Sequence, residues 1–145
     1  MTVKGSYPGN PRQLLADVVT DSVSYRKLAQ LLEDQFAAAL RLDSSALASL
    51  AKSIAVETDA IDLRRRYRVE RIGRTPGAVL AFGKRLLAGD KHAAQRASFV
   101  ERCAELKTQA ARCQVLTTRN GGLLAAQYEA MQRLMHGERH IYVPA

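Results

Sequence analysis

The 145-residue sequence has no tryptophan, and aromatic residues make up only 6% of it. It also lacks the runs of Val, Ile and Thr that half-buried strands favour. Val18-Val19-Thr20 is the one suggestive stretch, and it falls inside a helical pattern. No apolar run approaches the ~18 residues of a transmembrane helix, so no membrane span is expected. Met1 to Asn10 lacks the apolar core of a secretory signal. The chain has two cysteines, Cys103 and Cys113. Ten positions of helix separate them by roughly 15 Å, too far for a disulfide. Unpaired thiols fit a reducing cytoplasm. Acidic residues are scarce, with 14 Asp and Glu against 22 Lys and Arg, giving a net charge of +8. That excess suits anionic partners such as nucleic acid, anionic lipid or an acidic protein. A solvated, Arg-rich helix surface accounts for it equally well, because charge alone names no partner.

Hydrophobic residues supply 47% of the chain, enough for a folded core. Good helix formers, chiefly Ala, Leu, Arg and Gln, are abundant. Residues 1–10 read as a tail, 11–137 as one helical domain and 138–145 as a second tail. Asn10-Pro11 offers a cap and a first helical proline. A first helix is expected from Pro11 to Arg41, with Leu14, Val18, Ser22, Tyr25, Leu28, Leu32, Phe36 and Ala39 on one face. Asp43 or Ser44 can cap a second helix, Ser44 to Ile72. Its stripe of Leu47, Leu50, Ile54, Thr58 and Ile61 runs on into Arg65, Arg68 and Ile72. The seam therefore fails there, or the arginine stems pack while their heads reach water. Gly73 to Gly77 breaks the chain. Thr75 can cap a short helix that starts at Pro76 and carries Val79, Leu80, Phe82, Leu86 and Leu87. After Gly89-Asp90 a long helix is expected from Lys91 to His136. Its heptad-like seam is Phe99, Cys103, Leu106, Ala110, Cys113, Thr117, Asn120, Leu124, Gln127, Met131 and Leu134. The expected fold is all-α: an elongated antiparallel hairpin or bundle of three to four helices, coiled-coil-like.

Chemistry-bearing patterns are few. His136 and His140 stand four apart around Glu138, but Gly137 interrupts them and no third ligand lies nearby. Both cysteines fall on the seam, where they act as small hydrophobes. No phosphate-binding glycine loop is present, and no converging catalytic set is visible. The chain is therefore read as a binding protein that is not an enzyme and needs no cofactor or metal. Arg64, Arg68 and Arg71 share a helix face and can make electrostatic contacts with phosphates, or with acids of a neighbouring helix or partner. Asp62 with Arg66, and Arg66 with Glu70, have i,i+4 spacing. Sparse aromatics and the lack of a recognised motif argue against nucleic acid. The segment from Asn120 to Met135 is the most informative. Gly121-Gly122 costs about 1 kcal/mol per glycine in a helix, marking a bend, a close contact or a hinge. Beyond it, Leu124, Tyr128, Met131 and Met135 share a face flanked by Leu123 and Leu134. That face either completes the core or accepts a partner helix on adaptable methionines.

Three stretches make the chain similar to the FlgN family of flagellar export chaperones. They are the Leu-rich helix from Tyr25 to Leu42 leading into Asp43-Ser44-Ser45-Ala46-Leu47-Ala48-Ser49-Leu50, the Arg-rich end of the second helix, and Arg119-Asn120-Gly121-Gly122-Leu123-Leu124. The resemblance covers roughly residues 20 to 140. Thr117 and the strongly positive charge depart from the family pattern. The resemblance implies a cytoplasmic chaperone of flagellar type III export. Its clients would be the hook-filament junction proteins FlgK and FlgL, delivered to the export gate, including the cytoplasmic region of FlhA. Client binding would then fall to Leu123, Leu124, Tyr128, Met131, Leu134 and Met135, with Gly121 and Gly122 as a hinge. A homodimer is compatible with this picture. The alternatives are a basic helical nucleic-acid-binding protein or a scaffolding subunit.

Overall fold

The computed structural model describes residues 11–142, with side chains from 12 to 137. The expected tails at 1–10 and 143–145, and the Asn10 cap, lie outside the described residues. Four α-helices and no strand occur among those described. Helix α1 spans Pro11–Leu40 and α2 spans Ser44–Ile72. The turn between them is fixed at both sides. Leu42 adopts φ 57, and the amides of Leu42 and Asp43 donate to the carbonyls of Ala39 and Ala38. This satisfies the last α1 carbonyls in the Schellman manner. The Asp43 carboxylate then accepts from the Ala46 amide at 3.0 Å, capping α2.

Helix α3 spans Ala78–Leu86. It starts two residues later than the sequence suggests. Thr75 contributes its backbone carbonyl to Ala78 rather than a side-chain cap, and Gly77 takes φ 79 to turn the chain. A 3-10 turn, Asp90–His92, leads into α4, Ala93–Tyr142. Helix α4 is continuous through Gly121-Gly122, and it passes Gly137 as well, where the sequence suggested a tail.

The order is up, down, a short crossing helix, then up. Helix α2 is antiparallel to α1: Lys27 meets Glu57 while Asp21 meets Arg64. Helix α4 is parallel to α1: Ser22 meets Glu105 while Leu32 meets Asn120. Both long helices pack on α1, and α3 closes the lower end against α4. The lower core buries Leu14, Val18, Leu87 and Phe99, with Phe82, Leu86 and Tyr67 around them. An upper core joins Leu28, Ala29, Leu32, Ile61, Cys113 and Leu116. Each large apolar side chain buried this way contributes about 1.5–3 kcal/mol. Gly83 lets α3 sit on α4. A Cβ there would fall 2.1 Å from the Phe99 ring, which is itself fully buried.

Two seams are shifted by one residue from the sequence reading. Leu116 is buried and Thr117 exposed; Glu57 and Arg64 turn inward where Thr58 and Arg65 were expected. Steps of three-then-four and four-then-three connect the same endpoints, so apolar spacing cannot separate them. Polar partners on α1 decide the matter in α2, because Lys27 lies 3.5 Å from Glu57 and Asp21 receives Arg64.

Candidate partner-binding surface

The α1–α4 contact is stitched by polar bonds alongside its two apolar clusters. Gln109, with its amide oriented to donate, gives a hydrogen bond to the Ser22 hydroxyl at 2.7 Å. That hydroxyl donates to Glu105 at 3.0 Å, and Arg26 holds the same carboxylate at 2.8 Å. These bonds keep the Glu105 carboxyl below its usual range, Arg26 contributing most. Higher up, Glu33 receives Arg119 at 2.7 Å, and Arg119 lies over the Phe36 ring at 3.8 Å. Asn120 is buried and donates to the Leu32 carbonyl at 2.7 Å and to Gln35 at 2.8 Å. A single buried Asn in a seam fixes register, since any slip strands its amide. Gln127 makes the last bond, to the Ala39 carbonyl at 3.0 Å.

These pairings put α4 positions level with α1 positions 83 to 88 earlier in the chain. Helix α1 ends at Leu40, level with about Tyr128. From there α4 runs on to Tyr142, roughly 22 Å of helix beyond the α1–α2 turn. The apolar pattern does not stop with the bundle. Tyr128, Met131, Leu134 and Met135 are 66%, 61%, 67% and 54% exposed. Leu123 and Leu124, a turn earlier, are half-buried where α1 still lies alongside. Leu40 and Leu42, which sequence reasoning missed as surface, are also exposed at the foot of the projection. An apolar helix wall thus stands above an apolar ledge.

Gly121 and Gly122 lie below this projection. A Cβ at either would meet nothing within 4 Å, so neither serves a close helix approach. Among the described residues no group of three His, Cys, Asp or Glu could hold a metal, and the His140 side chain lies outside them. Both thiols are held protonated: burial pushes Cys103 up to about 11 and raises Cys113 as well. Cys113 donates to the Tyr25 carbonyl at 3.3 Å.

The arginine stripe has partners inside the fold. Arg64 and Arg68 both pair with the carboxylate of Asp21, which is fully buried on α1, and Arg64 also donates to Ser24. The arginine heads therefore turn inward to an acid, and the seam neither fails nor releases them to water. Arg71 lies 3.5 Å over the Tyr67 ring, with Glu70 at 3.6 Å. Asp62 pairs with Arg66 at 2.7 Å as its spacing suggested, whereas the nearest cation to Glu70 is Arg71 rather than Arg66. Asp21 was legible in principle. It continues the steps of four and three from Leu14 and Val18 to Tyr25 and Leu28, and an acid on such a seam calls for a cation from the next helix.

Among the described residues, fold and surface together define a helical bundle with an exposed apolar helix end and no helix long and apolar enough to cross a membrane. No protein-family model, curated protein or solved structure matches the chain.

Proposed function

We propose that this protein is a cytoplasmic export chaperone of the FlgN type, which holds the aggregation-prone ends of FlgK and FlgL and presents them to the export gate, including the cytoplasmic region of FlhA. The observation that carries this reading is the apolar strip of α4 beyond the bundle, Tyr128, Met131, Leu134 and Met135, which is exposed and which no other described helix covers. An amphipathic client segment can form a helix against that wall. It loses conformational entropy on ordering and gains apolar burial in exchange. The Met side chains adapt to more than one client sequence. The projecting helix gains too. Beyond Gln127 no other described helix supports it, and a helix of that length is marginal alone in water. Binding needs neither nucleotide nor metal.

The resemblance through Asp43 to Leu50 and Arg119 to Leu124 supports the same reading. A nucleic-acid role for Arg64 and Arg68 is weakened, because their charges meet Asp21. The test is a pull-down with C-terminal segments of FlgK and FlgL. Met131→Asp and Leu134→Asp should each weaken capture while leaving the helical circular-dichroism signal intact. Normal capture by both variants would move the client site elsewhere.

A further inference from the structure

We propose that the elbow between α2 and α3, at the opposite end of the bundle from the α4 projection, is a docking pocket for an acidic protein segment. Arg65, Arg66 and Arg74 would receive its carboxylates. The elbow borders a half-open hollow of about 480 Å³ lined by these three arginines with Val69 and Glu70. A second hollow of about 290 Å³ continues around the bend past Gly73 and Thr75. The setting is basic: eleven of the 22 Lys and Arg residues lie between Arg64 and Arg102, against Glu70, Asp90 and Glu101.

The neighbouring arginines are occupied elsewhere. Arg64 and Arg68 neutralise Asp21, and Arg71 rests on Tyr67 beside Glu70. The three that line the hollow are held less completely. Arg65 and Arg66 share one carboxylate, Asp62, at 3.1 and 2.7 Å, and both remain more than half exposed. Hydrogen bonding from Arg65, then the charge of Arg66, holds the Asp62 carboxyl below its ordinary range, so it stays ionised and orients both forks. Two guanidiniums on one carboxylate leave a net positive charge and unused N–H donors. Arg74 makes no ion pair among the described residues.

The lining also says which anion fits. The guanidiniums stand at separate positions around the hollow, and no aromatic ring lines it to stack a base. Carboxylates spaced along a peptide can each take a separate guanidinium fork, and their aliphatic stems can lie on Val69. This pocket is independent of the client surface on α4, so each can be lost without the other.

The experiment is fluorescence anisotropy with a labelled peptide of alternating glutamate and alanine. The full chain should bind it saturably at low salt and release it as salt rises. Arg66→Glu/Arg74→Glu should weaken binding at least tenfold, and Arg66→Lys/Arg74→Lys should also weaken it, because an ammonium cannot form the bidentate pair. Lys52→Glu/Arg133→Glu, at exposed positions away from the elbow, makes the same charge change and should leave binding unchanged. Equal peptide binding by both elbow variants, or tighter binding of a labelled oligothymidylate of matched charge, would overturn the proposal.

Discussion

The most consequential single residue is Asp21. Its carboxylate is fully buried between two arginines, and the Arg68 side chain is only 12% exposed. Asp21→Asn removes the charge but leaves both cations in place, at a cost of about 3 kcal/mol or more. Urea unfolding should show that loss, and Asp21→Leu combined with Arg64→Met and Arg68→Met should recover much of it by replacing all three ions with apolar volume. Gly83 is constrained in a different way. Gly83→Ala drives a methyl into a Phe99 ring that has no free space, and should cost about 1–3 kcal/mol in the same measurement. Neither position stood out in the sequence. Asp21 has the right spacing but the wrong polarity for a core reading, and a glycine whose only task is to let a ring approach carries no local mark.

At the scale of the elements, helix limits were largely legible because capping and breaking residues act locally. The α2 limits fall at Ser44 and Ile72, set by Asp43 before and Gly73 after. The rotational setting of each helix was less legible, since Glu57, Arg64 and Leu116 face inward for reasons held by α1. The extent of the α4 projection depends on tertiary register. Nothing in residues 128–135 reveals that α1 ends alongside them; the Gln127-to-Ala39 bond does. Gly121 and Gly122 sit within the supported part of α4 with open space at both Cβ positions. Gly121→Ala/Gly122→Ala should therefore stabilise the fold by roughly 1–2 kcal/mol, read as a rise in the urea midpoint. Amide exchange should be faster at Met131 to Met135 than at Cys113 to Asn120, because only the latter have a helix alongside.

For the whole molecule, stability should decline on the alkaline side. Burial raises the Cys103 thiol from 9.0 to about 11, and it also raises Tyr25, with Asp21 adding to the effect. A proton held more tightly in the folded state than in the unfolded chain contributes fully below the unfolded value. Its contribution is lost as pH rises through the folded one. The thermal midpoint should accordingly fall between about pH 9 and 11, and Cys103→Ala should flatten that fall. The bundle thus combines a cross-linked body, held by Asp21, Asn120 and the Phe99 cluster, with an apolar helix end that the body does not cover. The body explains the fold without invoking a partner, whereas the proposed client role rests on the helix end. Calorimetric titration of a FlgK C-terminal peptide into the full chain and into a chain ending at Gln127 separates the two most directly. The shortened chain should keep its melting temperature within a few degrees and lose at least a hundredfold in affinity; equal affinity in both chains would contradict client docking on α4.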